Sequence, residues 1–149
     1  MATVIQYREL GSADVLETVE VPTPHAGPGE LVVEVRAAGV NPIDWKLASG
    51  ALRFLLRLQL PAVPGYDMVG EVLALGADTT GFEVGQRVAA RVATNPGGAC
   101  AEQAVVGVDM TVPVPESLSI EDVAALPLAG MTALQALRDD GGMRLEGEE

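Results

Sequence analysis

The stretch ELVVEVRAAGVNPIDWKLASG, Glu30 to Gly50, decides the fold. Glu30–Ala38 is rich in valine and alternates well enough for a strand with one face in a core. Asn41 is then a capping residue, Pro42 stands in a first helical turn where a missing N–H does no harm, and Gly50 lies just past the end. Pro42–Ala48 therefore reads as a short helix of about two turns.

Working outward, Thr3–Tyr7 and Val15–Val21 flank the turn residues Gly11-Ser12-Ala13-Asp14, which predicts a hairpin. The cluster Pro22, Pro24, Gly27, Pro28 and Gly29 is an ordered connection needing few backbone donors. Downstream, Val69–Leu75, Arg87–Val92 and Ala101–Val106 read as strands separated by turns at Gly76–Gly81 and Asn95-Pro96-Gly97-Gly98. Many short strands with Gly and Pro punctuation predict a mainly β fold with short helices, a small, partly open barrel rather than a parallel sheet. From Ser119 the character changes. Ser119 and Asp122 suggest a capped helix Ile120–Ala125 that Pro127 stops, and Gly130–Leu137 restarts a helix. The chain ends in an acidic tail, Glu146-Gly147-Glu148-Glu149.

Composition sets bounds on function. The 149 residues are 48% apolar and 20% charged, the balance of one globular domain. Lys46 is the only lysine, and the formal net charge of -12 leaves no basic stripe for nucleic acid. Leu52–Val63 carries Arg53, Arg57 and Gln59 and is well short of the roughly 20 apolar residues of a bilayer span, so no membrane segment is expected. A lone cysteine, Cys100, makes no internal disulfide, and the start has neither a basic n-region nor an apolar h-region; the expected setting is cytoplasmic.

With one histidine, His25, and one cysteine, no cysteine- or histidine-based zinc site is expected. Cys100 reads as a small buried hydrophobe rather than a nucleophile, because nothing in its local setting would activate a thiolate. Neither G-x-G-x-x-G nor G-x-x-x-x-G-K-[ST] occurs, so the glycine-rich loops that present N–H groups to phosphate are missing.

Five segments carry a resemblance: AAGVNPIDWKLASG (Ala37–Gly50), PAVPGYDMVGEV (Pro61–Val72), GFEVGQRV (Gly81–Val88), GGACAEQAVV (Gly97–Val106) and AALPLAGMTALQAL (Ala124–Leu137). In this order and spacing, from about Val4 to Leu137, they resemble the GroES-like domain of medium-chain dehydrogenase/reductases, most of all the quinone oxidoreductase branch. The resemblance implies a GroES-like, partly open barrel over residues 1–126, with 127–149 as a helix and tail leading into a Rossmann domain beyond this chain.

Two departures from the zinc-dependent members matter. Asn41 stands where they carry a metal-binding cysteine, and Tyr66 where they carry a metal-binding histidine; Arg91–Cys100 holds one cysteine in place of their four-cysteine lobe. The resemblance thus implies a zinc-independent, NADPH-dependent enzyme reducing quinones or conjugated carbonyls, substrates that need no metal to polarise them. The cofactor is not expected to bind this chain alone.

By the same resemblance, Asn41 lies beside the nicotinamide and donates to the substrate carbonyl, unless it serves only as a helix cap. Asp44 either faces water or accepts a hydrogen bond from Tyr66, and Tyr66 either donates to the reduced product or merely packs. Lys46 meets a cofactor phosphate or ribose, or is simply solvated. Thr132 lies against the nicotinamide ring or is an ordinary cap, and Asp67 has no assigned role. Trp45, Phe54, Leu55 and Leu56 border an apolar substrate cleft or form a helix buried against the barrel or a partner subunit. The run Leu52–Leu60, with surface that the absent domain would cover, predicts self-association and a homo-oligomer. The alternative to an enzyme is a non-catalytic GroES-like binding module or pseudoenzyme that engages an apolar ligand or a partner chain.

Overall fold

The computed structural model describes residues 1–93 and 98–143. Of the expected turn Asn95-Pro96-Gly97-Gly98 only Gly98 is among the described residues, and the acidic tail lies outside them.

Strands β1 (Ala2–Tyr7) and β2 (Leu16–Val21) form the expected antiparallel hairpin, in register from Ala2↔Val21 to Tyr7↔Leu16. Five further strands make one antiparallel sheet: β3 (Glu30–Gly39), β4 (Asp67–Leu75), β5 (Arg87–Arg91), β6 (Gln103–Gly107) and β7 (Thr111–Pro113). Their order is β6-β3-β4-β5-β7. β6 and β7 are edges, so the mainly β fold holds while the sheet stays open and does not close into a barrel. Strand β7 escaped the sequence reading because it is three residues long and ends in Pro113, a residue confined to sheet margins by its missing N–H.

The hairpin is fastened to the rest through β1. Ile5 N–H donates to the Cys100 carbonyl at 2.9 Å, and Tyr7 and Ala62 exchange backbone hydrogen bonds of 2.9 and 3.0 Å.

Strand β3 was expected to bury one face. Leu31, Val32 and Val33 are all buried: Leu31 and Val33 enter the larger core, while Val32 lies with Thr23, Pro24, His25 and Ala26. One core contains Leu31, Val33, Met68, Val72, Val88 and Val106; a second, smaller one sets Val69 and Ala89 against Val123 and Ala124. Each of the larger side chains contributes about 1.5–3 kcal/mol on burial. Gly70 is required where β3 and β4 meet, since a Cβ there would run into the Glu34 carbonyl.

Three short helices complete the chain: α1 (Pro42–Ala48), α2 (Ile120–Ala124) and α3 (Pro127–Gln135). Ser119 caps α2 as expected, its hydroxyl accepting from Asp122 N–H at 3.1 Å. Pro127 does not leave a gap up to Gly130; it opens α3 as the first helical residue, because its preset φ suits a helix start. No residue of α3 is buried. The buried-helix reading of the stretch after α1 is corrected too: residues 51–55 are turns, with Phe54 87% and Leu55 80% exposed.

Candidate functional site

Strand β3 delivers Asn41 to the site through a close approach. A Cβ on Gly39 would meet the Ala124 carbonyl and come within 3.0 Å of the Asp67 Cβ, so only glycine lets the strand end flush against α2 and β4. Two residues on, Asn41 and Asp44 form a capping box at the start of α1, with Asn41 N–H donating to the Asp44 carboxylate at 2.6 Å.

Two buried carboxylates hold this turn. Asp44 also accepts the Gly65 N–H at 2.6 Å, which pins the chain before β4, where Gly65 itself needs a φ of +96°. Asp67, 0% exposed, accepts the Asn41 side-chain Nδ2–H on one oxygen and the Leu128 backbone N–H on the other, each at 2.8 Å. Burying a carboxylate is costly unless such donors replace water, and here each has two. Asp67 is the residue whose role the sequence left open. No local motif signals it, since its partners are 26 and 61 positions away.

Tyr66 is 6% exposed, and burial, then Tyr7 and Asp44, push its phenol up to about 12 against a lowering by Arg91. It therefore stays protonated through the physiological range, a hydrogen-bond donor rather than a ready acid. The hydrogen bond expected from Tyr66 to Asp44 is not among those of the described residues; Asp44 is held by the two backbone N–H groups instead. The structure adds two neighbours that the sequence did not nominate. Tyr7 and the half-buried Cys100 both have raised pKa values, from burial first and then from Asp44. A thiol pushed up in this way is a poor nucleophile.

The remaining nominated residues divide. Thr132 is exposed and donates to the Leu128 carbonyl at 2.7 Å, one helical turn from the N–H that meets Asp67. Lys46 is exposed, its Nζ 5.8 Å from the centroid of the Trp45 ring. Trp45, 60% exposed, lines a groove of about 520 Å³ with Asp44, Val40, Ala48, Ile5, Leu16 and Cys100. Phe54 and Leu55 are not in that lining; Arg53 stacks over the Phe54 ring at 4.9 Å, and Arg53 and Leu56 border a separate cleft of about 190 Å³. The fold thus joins Asn41, Asp44 and Tyr66, links them through Asp67 to the helix of Thr132, and leaves Phe54 and Leu55 apart.

Chemically, the Asn41 amide has two hydrogens and gives one to Asp67, so one donor remains. Lys46 offers a cation and Thr132 the lone pairs of its hydroxyl, both at exposed positions suited to a polar cofactor. Among the described residues no cluster of three or more His, Cys, Asp or Glu is grouped to hold a metal ion, and no helix is long and apolar enough to cross a membrane.

Comparison with known proteins points in one direction. Residues 27–116 match the alcohol dehydrogenase GroES-like domain. The chain is 42% identical over 144 residues to the chloroplastic quinone-oxidoreductase homolog of Spinacia oleracea, covering 96% of this chain and 44% of that one. It is 32% identical over 142 residues to the 2-methylene-furan-3-one reductase of Solanum lycopersicum, covering 91% of this chain and 36% of the relative. Among solved structures, Escherichia coli quinone oxidoreductase complexed with NADPH superposes with a TM-score of 0.83 at 29% identity, over 93% of this chain and 41% of that one. The chain therefore spans less than half the length of these relatives.

Proposed function

The chain belongs to the alcohol dehydrogenase GroES-like domain family, and from that membership we propose that it is the substrate-side part of a zinc-independent, NADPH-dependent oxidoreductase acting on quinones and enones. Residues 1–126 form the substrate-side domain in this reading, and 127–149 lead toward a cofactor-binding domain. The likeness to quinone oxidoreductases and to a furanone reductase supports the substrate class, and the NADPH complex of the Escherichia coli relative supports the cofactor.

The observation that carries the reading is the Asn41 amide, held by Asp67 with one N–H left over, at a position where zinc-dependent members carry a metal ligand. A bound nicotinamide would supply the hydride. Asn41, Lys46 and Thr132 are the residues we assign to holding it, and the groove that Trp45 lines to the apolar substrate, with Phe54 and Leu55 outside it. As negative charge grows on the substrate oxygen, the free N–H of Asn41 is our candidate donor; Asp44 keeps the turn in place, and Tyr66 is a protonated phenol at its back.

The test is NADPH consumption by the longest polypeptide that contains this chain, with 1,4-benzoquinone, an enone and a saturated aldehyde as acceptors and a metal chelator present. Reduction of the conjugated acceptors only is expected, insensitive to chelator, with Asn41→Ala lowering kcat roughly 100-fold. Chelator-sensitive turnover of the saturated aldehyde would overturn the proposal. The apolar groove favours a second reading, a binding module without catalysis. Quinone binding without turnover in that polypeptide would select it.

A further inference from the structure

We infer that Asp67 is a positioning residue that couples the side chain of Asn41 to the first turn of α3. The inference deepens the reading of Asn41 as a site residue and rests on it. A carboxylate only accepts hydrogen bonds, so the Asn41 amide is held with Nδ2 toward Asp67; turned over, it would set its own oxygen against a carboxylate. The second oxygen takes Leu128 N–H, a donor in the first helical turn with no intrahelical partner of its own. Helix α3 buries none of its residues, so apolar packing gives it little hold on the domain, and this tether sets where it starts. Thr132 follows one turn later, its hydroxyl on the Leu128 carbonyl. A displacement of α3 therefore pulls on the same carboxylate that orients Asn41.

The test exchanges the two partners within the 149-residue chain. Asn41→Asp sets one carboxylate against another, and Asp67→Asn replaces two charge-assisted hydrogen bonds with neutral ones and lets the Asn41 amide turn over. Each is expected to lower the urea midpoint and to move the Leu128 backbone amide signal in a nitrogen–proton correlation spectrum. The double variant restores one donor between the pair and an acceptor for Leu128, and is expected to recover most of the midpoint and the Leu128 signal. A double variant no better than the sum of the single changes overturns the inference. Asn41→Gly covers the case in which a single exchange variant fails to fold: glycine is tolerated at a helix N-cap and has no side-chain donor for Asp67. A Leu128 signal that stays put in Asn41→Gly also overturns the coupling. Neither readout involves nicotinamide or substrate, so a failure here is distinct from a failure of the proposed activity.

Discussion

The junction around Asp67 and the segment after α1 carry side chains nominated for the same site, yet they are built in opposite ways. At the junction, two buried carboxylates are held by four hydrogen bonds from Asn41, Gly65 and Leu128. In the segment, Phe54 and Leu55 project from turns into solvent. Hydrogen bonds to a buried charge specify position without outside help, because an orphaned partner is expensive; apolar side chains specify nothing until a surface covers them. The domain thus contains one cluster fixed by its own hydrogen bonds and one apolar turn left in solvent.

The contrast can be broken from the junction side first. Met68, beside Asp67 and fully buried in the larger core, should lose about 3 kcal/mol as Met68→Ala in urea denaturation, the usual range for such a cavity. Asp67→Ala leaves the Asn41 Nδ2–H and Leu128 N–H without their acceptor, and about 2 kcal/mol is expected. A loss near zero would make the junction no different from the loop.

The phenols sharpen the comparison with pH. Tyr66 binds its proton more tightly folded, up to about 12, than unfolded, near 10, and Tyr7 is raised as well. Their contribution is fully present below about pH 10 and is lost as pH climbs through the folded value, because the folded state then holds protons that the unfolded one has released. Stability measured against pH should therefore fall on the alkaline side of 10, and Tyr7→Phe should lower the Tyr66 midpoint in an ultraviolet titration. The smallest effect on stability belongs to the loop. Phe54→Ser with Leu55→Ser should change it by less than about 0.5 kcal/mol while weakening the self-association expected of the parent chain in sedimentation.

Legibility followed range. The β3 strand and the α1 helix capped by Asn41 lie within Glu30–Gly50 and are legible there, because propensity, capping and turn chemistry act over a few residues; the part Asp44 takes in that cap is not. Pro127 stops α2 as expected, but α3 starts at Pro127 and not at Gly130, because proline that forbids a helix interior also favours a helix start. The short edge strand β7 and the clustering of Tyr7 and Cys100 with Tyr66 and Asp44 have no local mark at all.

By itself the sequence determined a mainly β domain and a short helix capped at Asn41, both consequences of local chemistry. Tertiary structure alone decided that the sheet stays open, that Tyr66 is buried with its phenol pushed up, and that Asp67 holds Asn41 and α3 together. Those outcomes depend on which distant donors reach a buried acceptor once the chain has closed around it, and nothing in the nearby residues encodes that meeting.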